Sequence, residues 1–201
     1  MLWILITFGV LLMIGLAIAA YGVGIYNRLV TLKNRVENSF AQIEVQLKRR
    51  HDLIPNLVET VKGYMSHERE TLEAVIQARN QAVGGLQNAA GHLDDPAAMQ
   101  QLAAAEGGLN SALGRLFALS EAYPDLKANQ NMAQLTEELT STENRIGFAR
   151  QAFNDSVTAY NTYKQTFPPV IFANLFGHGQ DRQLLEFDSE KINQTPTVSF
   201  S

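Results

Sequence analysis

Two rules of patterning divide the chain. From Leu2 to Ile25 no charged side chain interrupts an apolar run, and about 20 apolar residues are enough to cross the hydrocarbon core of a bilayer. From Arg28 onward the apolar positions instead recur every three or four residues, the period of a helix with one buried face. Leu29, Leu32, Val36, Phe40, Ile43 and Leu47 form the first stripe. Pro55 is predicted to end it, because proline lacks the amide hydrogen a helix interior uses and suits a first turn. A second stripe follows through Leu57, Val61, Tyr64, Glu68, Leu72, Val75 and Arg79, and Gly84-Gly85 is predicted to close it. Residues 84–95 read as a loop. Asp94-Asp95-Pro96 then opens a third helix, with an Asp oxygen to accept an orphan amide and proline at the first helical position.

That third helix carries Met99, Leu102, Leu109, Leu113, Leu116 and Leu119. Gly107, Gly108 and Gly114 each cost about 1 kcal/mol relative to Ala in a helix. Their small size predicts close helix approach and the thinnest, least rigid helix of the set. Pro124-Asp125 ends it. The fourth helix has the most regular stripe: Met132, Leu135, Leu139, Thr142, Ile146, Ala149, Phe153, Val157 and Tyr160. Alternating 3–4 spacing held this long indicates coiled-coil-like packing. Short connections at Pro55 and Pro124 favour antiparallel neighbours. The fold class expected is therefore all-α: an N-terminal transmembrane helix over 1–27, continuing into an antiparallel up-down-up-down four-helix bundle over 28–167, then an apolar juxtamembrane segment and tail over 168–201.

Length adds an expectation for the tail. At 1.5 Å per residue the fourth helix, from Asn129 to Phe167, spans about 58 Å, whereas a first helix stopping at Arg50 offers about 35 Å beyond the neck. The fourth helix should then overshoot toward the bilayer. Phe167 to Phe176 holds no charge, so Ile171, Phe172, Leu175 and Phe176 are expected at the base of the bundle, beside the neck and at or near the membrane surface, with capping of the bundle core as the alternative.

Charge sharpens the membrane reading. All 16 Lys+Arg and 20 Asp+Glu lie from Arg28 onward; residues 28–50 carry six basic residues against Glu37 and Glu44, and the remainder ten basic against eighteen acidic. Arg28, Lys33 and Arg35 flank only the C-terminal side of the apolar run. By the tendency of cations to stay inside, this predicts a bacterial inner-membrane, single-pass protein with its N-terminus outside and its bundle in the cytoplasm. Ala17-Ile18-Ala19 has the shape of a signal-peptide cleavage site, but no Lys or Arg precedes the apolar run and apolar residues continue past the site, so a retained anchor is favoured. An acidic body on a basic neck lacks the clustered cationic face that nucleic acid requires. With no cysteine, disulfides, thiolate metal sites, a cysteine nucleophile and a lipoprotein anchor are excluded.

Candidate chemistry is thin. His67-Glu68 suggests a zinc helix, but Thr71 stands where the second imidazole is needed. Di-iron bundles place a carboxylate three residues before each His, and Lys48 and Tyr64 occupy those places for His51 and His67. His92 and His178 fall in predicted loops. The box Ser66-His67-Glu68-Arg69-Glu70-Thr71 resembles the phospho-acceptor box of sensor kinases, with Leu72 where proline is usual; phosphate acceptance by His67 is an alternative to an ordinary exposed histidine. Arg49-Arg50-His51-Asp52 reads as cations at a helix C-terminus, complementing its dipole, ahead of a partner or lipid-headgroup site. No catalytic, cofactor or metal residue is expected.

The stretches Tyr26-Asn27-Arg28-Leu29-Val30, Arg35-Val36-Glu37-Asn38 and Gln46 to Val58 resemble the LemA family. The likeness continues through Val61 to Tyr64, Thr71-Leu72-Glu73, Ala78-Arg79, Glu143 to Ile146, Ala149-Arg150, Phe153-Asn154-Asp155 and Tyr160-Asn161, and closes on Pro196, Val198 and Phe200. The resemblance implies a membrane anchor and a helical bundle. It implies no enzymatic reaction, since none is established for the family, and one relative is implicated in building magnetosome membranes. The expected function is a non-catalytic scaffold or adaptor at the bacterial membrane, with membrane shaping as a further alternative. Expected partners are the lipid bilayer through residues 2–25, proteins not identifiable from the sequence, and a second copy of the chain.

Overall fold

The computed structural model describes residues 1–186, and all regular structure among them is helical. Helix α1 runs unbroken from Leu2 to Lys62, followed by α2 (Arg69–Gly91), α3 (Pro96–Ser120), the single turn α4 (Pro124–Lys127), α5 (Gln130–Gln165) and the short α6 (Pro169–Leu175). The N-terminal part of α1 is long and apolar enough to cross a membrane, and none of its most apolar stretch is buried inside the protein.

The expected break at Pro55 does not occur. Proline removes the amide that would bond the carbonyl four residues earlier, which here is that of His51. Arg79, reaching over from α2, donates Nε–H to that carbonyl at 3.1 Å. The lost helical bond is replaced from a neighbouring helix, and α1 continues with Leu57 and Val61 buried. The chain reverses instead at residues 63–68. Helix α1 beyond the neck, Arg28 to Lys62, is therefore about 53 Å long, nearly matching the 54 Å of α5. The length mismatch that argued for an overshoot of the last helix does not exist.

The second correction concerns glycine. Gly84 and Gly85 lie inside α2, which extends to Gly91. A Cβ on Gly85 would stand 3.3 Å from the Leu102 Cα, so this glycine lets α2 and α3 approach backbone to backbone. Gly107, Gly108 and Gly114 face open space with nothing within 4 Å. The close approach is thus made by α2, not by the glycines of α3. The start of α3 is as expected: Asp95 accepts from the Ala97 amide at 2.9 Å and Pro96 is the first helical residue. Asn129 caps α5 in the same way through the amides of Asn131 and Met132.

Contacts between α1 and α5 step down one helix as they step up the other. Phe40 meets Phe153 edge to face at 5.6 Å, Arg50 meets Glu143, and Tyr64 accepts from Asn129 Nδ2 at 2.9 Å. The buried apolar residues form two clusters. The proximal cluster, on the side of the neck, includes Leu29, Ile43, Leu102, Ile146 and Phe153. The distal cluster includes Ile54, Val75, Leu109, Leu116 and Leu139.

Candidate functional site

A layer of buried polar side chains separates the two clusters. Arg50 and His51 are each 2% exposed and Glu106 is fully buried. The Glu106 carboxylate takes both partners: Arg50 Nη2 donates to one oxygen and His51 Nε2, at 2.9 Å, to the other. Arg50 Nη1 donates to Asn110 at 2.9 Å and to the half-exposed Glu143. Arg79, also on this level, approaches Asp52 to 4.0 Å while bonding the His51 carbonyl. Four helices therefore meet through the carboxylates of Glu106 and Glu143 and the guanidinium groups of Arg50 and Arg79.

The cluster follows from register. On α1 the stripe Ile43, Leu47, Arg50, Ile54, Leu57 keeps its 3–4 spacing through the arginine. On α3 Glu106 fills the gap between Leu102 and Leu109. Both sit where a leucine would otherwise be, so packing the stripes together drives them against each other. A buried charge without a partner would be costly, which fixes the axial register of α3 against α1.

This overturns the dipole reading of Arg49-Arg50-His51-Asp52. The four residues are mid-helix, and the middle two face the core. Buried there, Arg50 and His51 are unavailable to a lipid headgroup. The readable signal was Glu106, one of only two charged side chains in α3, standing at a core position. A second polar group, at the proximal end, also escaped the sequence. Lys164 is buried and reaches Asp181 at 2.7 Å, with the His178 and Gly179 carbonyls at 3.3 and 3.1 Å. Arg182, buried as well, pairs with Asp94 at 2.6 Å and Glu37 at 3.7 Å.

These pairs strap residues 178–186 onto α5 and α1. Asn161 and Asn154 act as artificial strand edges. Each side-chain amide accepts a tail N–H and donates to a tail carbonyl, at 3.0 and 2.8 Å for Arg182 and at 2.9 and 3.2 Å for Leu185. His178 Nδ1 lies 2.8 Å from the Tyr160 hydroxyl. Burial, helped by Lys33, Lys164 and Arg182, holds the His178 pKa below the ordinary imidazole value. The hydrogen bond from Lys164 holds the Asp181 carboxyl below its usual range. Burial pushes the Tyr160 phenol up.

His67 lies exposed in the 63–68 turn rather than on a helix, so it does not share the helical-face setting of a phospho-acceptor histidine. His92, just past α2, is exposed, and His178 is in the strapped tail, both outside helices as expected. Among the described residues no group of three or more His, Asp or Glu could hold a metal ion. The buried charged groups hold helices and tail together through the pairs described above.

The α6 region was expected beside the neck, and it is there. Phe172 is 3.4 Å from where a Cβ on Gly22 would stand, and Phe176 packs edge-on against Tyr26 at 5.3 Å. The closing residues Pro196, Val198 and Phe200 lie outside the described residues.

Comparison with known proteins finds relatives over most of the chain. The magnetosome protein MamQ of Magnetospirillum gryphiswaldense is 27% identical, over 87% of this chain and 68% of its own length. The magnetosome protein MamQ 2 of Paramagnetospirillum magneticum is 25% identical over the same shares. The protein LemA of Metamycoplasma hominis is 28% identical, over 78% of this chain and 67% of its own. Residues 39–200, which include the Arg50–His51–Pro55 stretch, Glu106 and both clasping asparagines, match the LemA family, and the chain belongs to that family.

Proposed function

We propose that this protein is a membrane-anchored scaffold or adaptor without catalytic activity, built as an antiparallel four-helix bundle that presents a helical surface to protein partners at the bacterial membrane. The observation that carries this reading is the continuity of α1 from the apolar span to the distal turn. With α5 packed along it, anything seated on the body is held at a set distance along α1 from the apolar span. The consumption of Arg50, His51, Glu106, Lys164 and Arg182 in internal pairing supports a structural rather than a chemical role. The basic neck supports a cytoplasmic body with the N-terminus outside.

The surface best suited to a protein partner is the outer face of the α1–α5 pair. Val45 and Phe148 are exposed there, beside Ala41, Ala149 and Ala152, forming an apolar groove. Large exposed apolar side chains grouped on a water-facing surface mark interaction sites. A photo-cross-linking amino acid at Phe148 or Val45, in the native cell, should yield discrete protein adducts that the same probe at Ser111 on α3 does not. No adducts, or the same adducts from all three positions, would sink the proposal.

Membrane shaping is a second reading, supported by the names of the magnetosome relatives and by the exposed apolar side chains of α6. Deformation of liposomes by the purified full chain tests it directly.

A further inference from the structure

We infer that α6 is a membrane-embedded foot: its outward face lies in the bilayer at the level where α1 leaves it, giving the protein a second contact with lipid. The two faces of α6 are used differently. Pro169 and Ala173 are buried, and Phe172 and Phe176 pack against the proximal core and α1. The opposite face carries Val170, Ile171 and Leu175 beside the exposed Asn174, and Phe167 is exposed in the turn just before the helix; the four apolar side chains are from 41% to 80% exposed. A short helix in water would ordinarily turn polar side chains to that side. Here no charged residue occurs between Lys164 and Asp181.

Position identifies what covers the face. Twenty residues from Leu2 to Tyr21 span about 30 Å, the thickness of the hydrocarbon core. The α6 rings contact α1 at Gly22 and Tyr26, immediately past that length. Val23 and Tyr26 of α1 are themselves exposed at this level, so the apolar face of α6 is continuous with the lipid-facing surface of the span. Tyr21 and Tyr26 suit the headgroup boundary. An apolar helical face of this kind binds at the boundary between headgroups and acyl chains. A Cβ on Gly22 would stand in van der Waals contact with Phe172 at 3.4 Å, so the Phe172 ring lies directly against this level of α1. Docked in this way, the foot fixes the tilt and rotation of the body, which a lone span leaves free.

The inference rests on α1 crossing the bilayer, and the test separates the two. The chain has no cysteine, so single Ile171→Cys, Leu175→Cys, Leu12→Cys and Ser111→Cys variants of the full chain can each carry one environment-sensitive fluorophore. All four positions are exposed and do not disturb packing. In proteoliposomes of phosphatidylcholine and phosphatidylglycerol, nitroxides placed shallow or deep on the acyl chains quench by depth. The Ile171 and Leu175 labels should be blue-shifted and lose more emission to the shallow nitroxide than to the deep one. The Leu12 label should show the reverse order, and the Ser111 label no loss to either. Quenching at Leu12 with Ile171 and Leu175 behaving like Ser111 overturns the foot and leaves the anchor standing. Loss of quenching at Leu12 overturns both. Shielding of Ile171 and Leu175 from a water-soluble quencher without quenching by lipid nitroxides overturns the foot in favour of contact with a second copy.

Discussion

The distal and proximal halves of the body are assembled by different means. Distal to Glu106 the core is filled from the helices and the turns joining them: Ile54, Val61, Val75, Leu109, Leu116, Leu126 and Leu139. Toward the membrane α2 and α3 run out, at Gly91 and Pro96. They span about 35 and 38 Å against 54 Å for α5, and the shortfall leaves part of α1 and α5 uncovered. The strapped tail fills that space, with Leu185 and Ala173 joining the core. Apolar periodicity alone builds the distal half. The proximal half needs side-chain to backbone bonds, because an irregular strand brings unpaired amides and carbonyls into a partly buried site. The Arg50–Glu106 layer is the boundary between the two regimes.

The severest test of that boundary is to remove its carboxylate. Glu106→Leu leaves Arg50 and His51 short of a buried partner and should cost about 3–5 kcal/mol in denaturant unfolding. The paired change Arg50→Met with Glu106→Leu should recover most of the loss, since buried ion pairs are replaceable by well-packed apolar groups. A double variant as unstable as the single one would mean that the layer contributes stability and not only register.

Arg79→Ala should cost about 1–3 kcal/mol by leaving the His51 carbonyl without a donor. In a Pro55→Ala background the helix supplies its own amide to that carbonyl, and the cost of Arg79→Ala should fall. Equal costs in both backgrounds would show that Arg79 acts by some other contact.

The proximal half should respond locally instead. Asn154→Ala and Asn161→Ala each remove two tail hydrogen bonds, about 1 kcal/mol net apiece, and should expose residues 180–186 to protease while the distal core stays protected. Acid should weaken the same region. His178 has its folded pKa below the unfolded one, so the unfolded state binds more protons and stability falls as pH drops below about 6.5. Asp181, also depressed, adds its loss only in the carboxylate range, as pH falls toward its folded pKa. Hydrogen exchange of the tail against pH reads both steps, and tail protection that is flat down to the carboxylate range would contradict the His178 part.

The smallest effect expected is a gain. Gly108→Ala and Gly114→Ala, both facing open space on α3, should stabilise the distal half by about 0.5–1 kcal/mol each. A loss would show that these positions need glycine for a reason other than packing.

The sequence by itself determined the helical class, the apolar span, the cap at Asp95 and most of the buried stripes, because each depends on residues close along the chain. The placement of α6 beside the neck was also read correctly, although the length argument for it was wrong. What the tertiary structure decided were the points where a local rule is overruled from a distance. Pro55 signals a helix end on its own, but the Arg79 guanidinium, 24 positions away, satisfies the carbonyl it frees. Gly85 looks like a helix stop until Leu102 of another helix packs against its backbone. Arg50 looks like a surface charge, and Glu106 stands in a core stripe with no visible partner, until the two stripes are laid together. Asn154 and Asn161 carry no apolar signal at all, since their role is to bond the backbone of a segment that arrives from far along the chain. Periodicity reports which face is buried; only the folded neighbours decide whether a polar group on that face finds a partner.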